Sequence, residues 1–376
     1  MPGARDPLLG GLAPAAFLRR HWQKEALRVS GAMPGFRGPF DLAQLKRLAQ
    51  RDDVESRLVL REGVVWRLQH GPLRATDFRA LPERGWTLLV QGVNLHEPEC
   101  DALLRRFAFI PHARLDDVMV SYAVEGGGVG PHLDNYDVFL LQGIGRRRWR
   151  YGQQDDGSFR PNLPLRILRR FAPSHDHVFS SGDMLYLPPQ WAHDGVALEP
   201  CTTYSIGFRA ATAQELGQAF LDFLRDEIDL PGRYADPGLR PTRTPGRIPG
   251  ATVRQVAKLL VGIRWDEADV ARFLGRMLSE PKAIVVFDPP AQPLSRAAFA
   301  RTVANRGLAL DARTRMLYDD EAFHINGESL RRMAGDAPLL PLADARALPA
   351  AACRGLGAPH LAQLHLWYGN GWLAPG

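Results

Sequence analysis

The spacing of hydrophobic and polar positions between about residues 115 and 210 is typical of β-structure. Short apolar runs follow one another closely and are separated by turns rich in glycine and proline. This pattern favours an antiparallel barrel or sandwich over a parallel sheet. We predict strands over residues 118–124, 137–142, 148–151, 184–187 and 202–208, with the second and third paired around the turn at 143–145.

The residues before this stretch mix helical and strand patterns. An amphipathic helix is predicted over residues 12–30, before a Gly/Pro-rich break. Residues 56–60 and 64–68 read as two short strands around a turn, and residues 86–93 as a further strand.

Beyond residue 211 the apolar positions recur at helical spacing. Helices are predicted near 215–224, 251–262 and 266–279, with a Pro/Gly/Arg-rich loop over 231–249. After about residue 281 strand patterns return at 283–287 and 314–318, and a helix is expected from Ser329. These changes predict three domains, namely residues 1–210, 211–280 and 281–376.

Composition narrows the class of protein. Hydrophobic residues make up 45% and charged residues 23% of the 376 residues, which is ordinary for a globular protein. No apolar run is long enough to span a membrane, and the N-terminal segment does not have the pattern of a secretory signal. Three widely spaced cysteines fit neither a disulfide framework nor a zinc motif. We therefore expect reduced thiols in a cytoplasmic protein with no membrane partner.

The net charge of +6 is a mild basic excess. It permits a polyanionic neighbour such as RNA without requiring one. No recognisable nucleic-acid-binding module is present, so direct sequence-specific nucleic-acid binding is not expected.

The residues with the clearest chemistry are two histidines and an aspartate. His132 and Asp134 are two positions apart, so on an extended segment their side chains point to the same side. His193 follows a Gly-Asp turn, an apolar strand and a Pro-Pro turn. Two histidines and one carboxylate are the ligand set of non-haem iron, which leaves other coordination positions open. We predict a metal site at these residues, which are also the candidate catalytic residues.

Other histidines could compete for this role. An HxD pair alone is a weak signal, and His175 with His177 forms a second spaced pair. That pair lies among loop-forming residues, and His96 and His112 stand alone. We therefore interpret all four as structural or surface residues.

Residues 118–209 resemble the JmjC oxygenases and, among them, the ribosomal oxygenases. The likeness runs through VMVSYAVEGGGVGPHLDNYDVFLLQGIGRRRWR and GDMLYLPPQWAHDGVAL, and it is strongest to bacterial arginine hydroxylases that act on large-subunit ribosomal protein sixteen. It implies a mixed β and α fold: a double-stranded β-helix (cupin/JmjC) core, a helical dimerisation region and a winged-helix-like C-terminal domain. It also implies a homodimer.

The resemblance further implies Fe(II), 2-oxoglutarate as co-substrate, and dioxygen. The family pattern Gly-x-basic-x-Trp places Arg147 where it would bind the far carboxylate of 2-oxoglutarate, and arginine can bind a carboxylate through two parallel hydrogen bonds. Ser121, Thr203 and Tyr204 are further candidates for that co-substrate.

The substrate implied by the resemblance is an arginine of a ribosomal protein, hydroxylated at carbon 3. A guanidinium favours carboxylates and aromatic faces. The candidates near the motif are Asp116, Asp117, Tyr136 and Asp137. N-methyl demethylation by the same iron chemistry stays open, as does a metal-binding cupin that does not use 2-oxoglutarate.

Overall fold

Residues 27–208 contain two antiparallel sheets that together form a barrel. The structure, a computed structural model, describes residues 7–333 and 335–376. The strands of this part are β1 (Leu27–Val29), β2 (Ser56–Glu62), β3 (Val65–His70), β4 (Trp86–Val90), β5 (Leu115–Ala123), β6 (Asp137–Gln142), β7 (Arg147–Gln153), β8 (His175–Phe179), β9 (Met184–Leu187), β10 (Trp191–Ala197) and β11 (Cys201–Phe208). The larger sheet has the order β1-β9-β6-β11-β5-β4-β2-β3, and the smaller one β10-β7-β8. From β6 to β11 the chain crosses between the sheets four times, and only β7 and β8 follow each other within one sheet, as in the predicted double-stranded β-helix.

Side-chain alternation gives the larger sheet two different apolar faces. On the inner face, Val138 and Leu140 of β6 pack with Trp149 and Phe179 of the smaller sheet. On the outer face, Phe139 belongs to a second core that includes side chains of three helices. Those helices are α1 (Pro14–Arg20), α2 (Leu42–Leu48) and α3 (Pro98–Arg105). The outer core therefore packs against the face of the sheet that points away from the smaller sheet.

Three helices follow the barrel: α4 (Ala213–Glu227), α5 (Gly250–Leu260) and α6 (Glu267–Ser279). Thr212 and Asp266 begin α4 and α6 with capping boxes, which satisfy free backbone N–H groups of the first turn. Phe220 of α4 packs edge-on against Phe273 of α6 at 5.2 Å between ring centroids. Helix α5 buries none of its side chains fully, so its apolar positions remain on the surface of the single chain.

The C-terminal part has its own core of helices and small sheets. Its elements are α7 (Arg296–Arg306), β12 (Leu308–Leu310), β13 (Met316–Tyr318), β14 (Ala322–Ile325), β15 (Glu328–Arg331), α8 (Leu340–Ala345), β16 (Ala347–Leu348), α9 (Ala350–Arg354), α10 (Ala358–Gly369) and β17 (Leu373–Pro375). Phe299, Phe323 and Trp367 are buried together there. Short helices packed with the three-stranded sheets β16-β12-β17 and β13-β14-β15 agree with the predicted winged-helix character.

Several local predictions were wrong. Strands β6 and β7 do not pair with each other, because β7 leaves for the smaller sheet. Residues 283–287 form no strand, and Ser329 lies in strand β15 rather than at the start of a helix. The predicted helix over 12–30 ends at Arg20.

Domain boundaries at residues 210 and 280 stay a prediction.

No helix in the described residues is long and apolar enough to cross a bilayer. The three cysteines are free and buried, as expected.

Candidate metal centre

His132, Asp134 and His193 come together at one end of the space between the sheets. His132 lies just outside the regular strands and forms an isolated bridge with His193 of β10, in which each backbone N–H donates to the other's carbonyl at 3.0 Å. The Nε2 atoms of His132 and His193 lie 3.8 and 3.6 Å from the two oxygens of Asp134. One potential ligand atom from each residue falls within a 4.8 Å cluster. The three side chains predicted from sequence are therefore positioned to share one cation.

Hydrogen bonds fix which nitrogen of each histidine faces the centre. Nδ1 of His132 lies 2.9 Å from the carbonyl of Gly130, and Nδ1 of His193 lies 2.9 Å from the carbonyl of Trp191. A carbonyl can only accept, so each Nδ1 carries the proton and donates. In the neutral imidazole Nε2 then has a free lone pair directed at Asp134. Orienting a metal-binding imidazole through its other nitrogen is a general feature of metal sites.

The electrostatic surroundings keep His193 neutral. Its side chain is 3% exposed, and burial, together with the nearby His132, lowers its pKa to about 4. A neutral imidazole is the form that binds a metal. The donor set, its tautomers and its charge state therefore fit a divalent transition metal.

A cavity of about 530 Å³ leads from this centre between the two sheets, and Arg147 lies in its wall. Arg147 is 4% exposed, and its guanidinium donates from Nη1 to Ser121 Oγ at 3.1 Å. Its Nε and Nη2 are buried and have no partner in the described structure. These two N–H groups form the edge of a guanidinium that binds a carboxylate in parallel. Their arrangement fits a carboxylate-bearing molecule in the cavity.

The other two candidates for binding that molecule, Thr203 and Tyr204, are neighbours on β11 and point to opposite faces of the sheet. Thr203 and Ser205 line the cavity, and Thr203 donates to the side chain of Gln142 at 3.1 Å. Tyr204 faces the outer core, where its hydroxyl accepts from the backbone N–H of Phe40 at 3.3 Å. Ser121 contacts Arg147 and Thr203 lines the same cavity, whereas Tyr204 does not, because neighbouring residues on a strand point to opposite faces.

A β-bulge brings both Asp116 and Asp117 to the cavity. Strict alternation along β5 would send the two carboxylates to opposite faces. The pairing of β5 with β11 shifts register between Ile206 and Phe208, so two residues of β5 lie opposite Gly207 alone. A bulge of this kind redirects side chains locally. Both aspartates consequently line the cavity.

The remaining predicted substrate residues have different locations. Tyr136 lines the cavity and is 41% exposed. Asp137 is fully buried on the outer side of β6, where it accepts hydrogen bonds from Tyr186 Oη at 2.6 Å and from Gln23 Nε2 at 3.0 Å. Asp137 therefore belongs to the outer core and does not reach the cavity.

The rival histidines lie away from the centre. His175 and His177 are on β8 rather than in a loop, and His175 stacks on Tyr151 at 4.8 Å. They are not part of the cluster of potential ligands. Asp194, next to His193, points away and pairs with Arg150 at 2.5 Å.

Sequence reasoning missed some polar residues at the cavity. Gln91 donates to both oxygens of Asp117 at 3.1 and 3.0 Å, and the buried hydroxyl of Thr87 has no partner in the described structure. Both lie on or just after β4, and alternation from Leu89 would have placed them on one face. Lys282 also pairs with Asp117, at 2.6 Å. No local pattern connects residues so far apart in sequence.

Together the fold and site define a JmjC-type oxygenase. The family model for the JmjC domain matches residues 102–216, and that for the ROXA-like winged helix matches residues 262–374. The ribosomal protein uL16 3-hydroxylase of Escherichia coli is 37% identical over 280 residues, 74% of each chain. The chain belongs to the ribosomal oxygenase family, which confirms the resemblance read from the sequence.

Solved structures agree over almost the whole length. A crystal structure of YcfD from Escherichia coli matches with a TM-score of 0.83 and 31% identity, covering 96% of this chain and 98% of that one. YcfD, described as a ribosomal oxygenase, has also been solved with cobalt and 2-oxoglutarate; that structure matches with a TM-score of 0.81, 31% identity and the same coverage. The agreement confirms the predicted β-helix core and winged-helix-like C-terminal part.

Proposed function

We propose that this protein is an Fe(II)- and 2-oxoglutarate-dependent hydroxylase of an arginine side chain in ribosomal protein uL16. The observation that carries the proposal is the arginine with two unpaired buried N–H groups in the same cavity as a two-histidine, one-carboxylate cluster. A metal-binding cupin without 2-oxoglutarate would have no need of that buried guanidinium.

His132, Asp134 and His193 would hold the iron. When bound, iron supplies the oxygen chemistry in which 2-oxoglutarate and dioxygen give succinate, carbon dioxide and one hydroxyl group on the substrate. The protein's part is to orient the ligands, as the two histidine–carbonyl bonds do, and to limit access of water. The candidate catalytic residues are thus the three ligands themselves.

Arg147 would bind the distal carboxylate of 2-oxoglutarate through Nε and Nη2. Ser121 holds Nη1 and so fixes the plane of the guanidinium. Thr203 pairs with Ser121 across β5 and β11, and its hydroxyl would reach the same carboxylate as a donor by turning away from Gln142. Tyr204 is omitted from the proposed site because it faces the outer core.

The acidic and aromatic side chains of the cavity suit a guanidinium substrate. Asp116 and Asp117 supply negative charge, and Tyr136 offers a ring at the more exposed part of the wall. Arginine combines a planar cation with five hydrogen-bond donors. Carboxylates and an aromatic face therefore bind an arginine side chain better than they bind a lysine side chain. Asp137 has no part in this recognition.

The proposal extends to assembly and location. The exposed apolar positions of α5, including Val253 and Leu260, support a homodimer formed through the helices of residues 211–280. A uL16 substrate supports a cytoplasmic location for the enzyme, and we propose no membrane partner. We propose no sequence-specific contact with nucleic acid.

The test is intact-mass spectrometry of recombinant uL16 incubated with the enzyme, Fe(II) and 2-oxoglutarate, with and without oxygen. Insertion of one oxygen atom adds roughly 16 Da, and fragment spectra should place it on arginine. Loss of a methyl group from a methylated substrate would favour demethylation instead. Absence of both product and succinate from metal-loaded protein would favour the cupin that does not use 2-oxoglutarate.

A further inference from the structure

A cluster of charges connects the barrel to the C-terminal part of the chain beside the cavity. Nζ of Lys282 lies 2.6 Å from Asp117 Oδ2 and 3.5 Å from Asp116 Oδ1. Arg209 pairs with Asp116 at 3.0 Å. Lys282 lies in the turn after α6, and Arg315, farther along the chain, donates to the carbonyl of Leu115 at 2.8 Å. The C-terminal part therefore touches β5 directly where that strand supplies its two carboxylates.

Burial makes this pairing important for Asp117. The Asp117 side chain is 5% exposed, and an unpaired ionised carboxylate in such a place is strongly unfavourable. Burial and the charge of Asp116 hold the pKa of Asp117 above its ordinary value, while the charge of Lys282 and the hydrogen bonds from Lys282 and Gln91 act against that rise. Gln91 is neutral and cannot balance the charge. Lys282 supplies the positive charge that an ionised Asp117 needs.

Lys282 approaches the carboxylate from outside the cavity that contains the metal centre. It lines a separate cavity of about 90 Å³ between β5 and the C-terminal part, and it does not line the larger cavity. Asp117 lines both. The lysine can therefore support the carboxylate from behind without taking the space of a substrate side chain.

We propose that Lys282 is a positioning residue that keeps Asp117 charged and fixed for recognition of a guanidinium substrate. The C-terminal part of the chain thereby completes the acidic wall of the active site. This inference rests on the proposed arginine hydroxylation. Removal of the lysine charge would weaken binding of the substrate while leaving the metal and 2-oxoglutarate sites intact.

The experiment compares Lys282→Met, Lys282→Arg and Asp117→Asn with unmodified enzyme, and uses exposed Lys24→Met as the matched control. Labelled recombinant uL16 is titrated anaerobically into Mn(II)- and 2-oxoglutarate-loaded protein to obtain Kd, and turnover gives KM and kcat. Loss of one partner of a buried charge pair should raise Kd and KM for uL16 about tenfold or more in Lys282→Met. The kcat should stay within about twofold of that of the unmodified enzyme, and the KM for 2-oxoglutarate should stay unchanged. The reason is that Lys282 touches neither the three metal ligands nor Arg147.

A double-mutant cycle separates this role from a purely structural one. Lys282→Met should add little to Asp117→Asn, and Lys282→Arg, which keeps the charge, should retain most of the affinity. Unchanged Kd in Lys282→Met, or equal losses in the methionine and arginine variants, would overturn the inference even if unmodified enzyme hydroxylates uL16. Failure of the unmodified enzyme to modify uL16 at arginine would instead overturn the proposed function, and this inference with it.

Discussion

Arg147 and Ser121 are joined by a hydrogen bond of 3.1 Å that connects the smaller sheet to the larger one. The bond satisfies only one edge of the guanidinium, and Nε and Nη2 remain buried without a partner in the described structure. Each unsatisfied buried donor costs about 1–3 kcal/mol. A cation kept in this state at a cavity wall is prepared for an anionic ligand, and the ligand restores the lost hydrogen bonds.

Replacing Arg147 by methionine should therefore weaken binding of 2-oxoglutarate selectively. Two charge-assisted hydrogen bonds are lost, so we expect the KM for 2-oxoglutarate to rise by roughly 100-fold. Succinate formation at varied 2-oxoglutarate concentration measures the effect. Arg148→Met is the matched control, because Arg148 is on the opposite face of β7 and pairs with Asp176 on the surface.

Arg147→Lys gives a second test of the same idea. A lysine keeps the charge but not the two parallel donors, so its KM should fall between those of the unmodified and methionine proteins. Equal KM values for Arg147→Met and Arg148→Met would refute the assignment of Arg147 to the co-substrate.

Metal binding should depend on His132 and not on the rival histidine His175. His132→Ala removes a ligand from the cluster, and we expect affinity for Co(II) to fall by more than about 100-fold, beyond the 10- to 100-fold cost of losing an outer-shell partner. His175→Ala removes a ring stacked on Tyr151 outside that cluster. Isothermal titration calorimetry of Co(II) into each metal-free protein measures the two affinities.

A Co(II) affinity that survives in His132→Ala and is lost in His175→Ala would place the metal at β8. Loss in neither variant would mean that the three-residue cluster does not hold the ion.

The sequence predicted the site correctly where the two-residue repeat of an extended backbone sets the direction in which a side chain points. The two-residue spacing of His132 and Asp134 depends only on extended backbone, and the structure places both side chains in one cluster of potential ligands. Which strands pair with each other in a sheet depends instead on residues that are far apart in sequence. Strand β6 followed closely by β7 therefore looked like a hairpin, although the two lie in different sheets.

Long-range contacts also decide where the predicted substrate residues lie. Asp137 looked suitable because it lies near the metal motif in sequence, but its direction on β6 takes it into the outer core. Asp116 and Asp117 share the cavity only because of the bulge opposite Gly207. Such irregularities arise from pairing with another strand, so they leave no recognisable pattern in β5 itself.

Close packing between β10 and β7 provides a test of the site's rigidity. An added Cβ at Gly195 would lie 2.6 Å from the ring of Trp149, so Gly195→Ala must displace that ring or the strand. We expect the free energy of unfolding to fall by about 1–3 kcal/mol, as for other overpacked cores. Gly217 in α4 has open space around it, and Gly217→Ala should raise stability by about 0.4–1 kcal/mol.

Urea unfolding of both alanine variants measures the difference. A Gly195→Ala protein as stable as the unmodified one would show that β10 and Trp149 separate easily, and the tight wall next to His193 would then have to be reconsidered.

Helix α5 provides the test of the proposed homodimer. Leu260 is 54% exposed on a helix that buries no side chain fully in the single chain. If the helices of residues 211–280 form the interface, Leu260→Asp would bury an unpaired charge there and raise the dimer dissociation constant by about 100-fold or more. Val64, 83% exposed in the turn between β2 and β3, offers Val64→Asp as the control.

Sedimentation velocity over a range of protein concentrations distinguishes the outcomes. The unmodified and Val64→Asp proteins should sediment as dimers at concentrations at which Leu260→Asp is monomeric. Monomeric unmodified protein at every concentration would rule out the homodimer. A dimer that tolerates Leu260→Asp but not Val64→Asp would move the interface to the β2–β3 edge of the larger sheet. Among the described residues β3 is the outermost strand at that edge, where it would pair with a second copy.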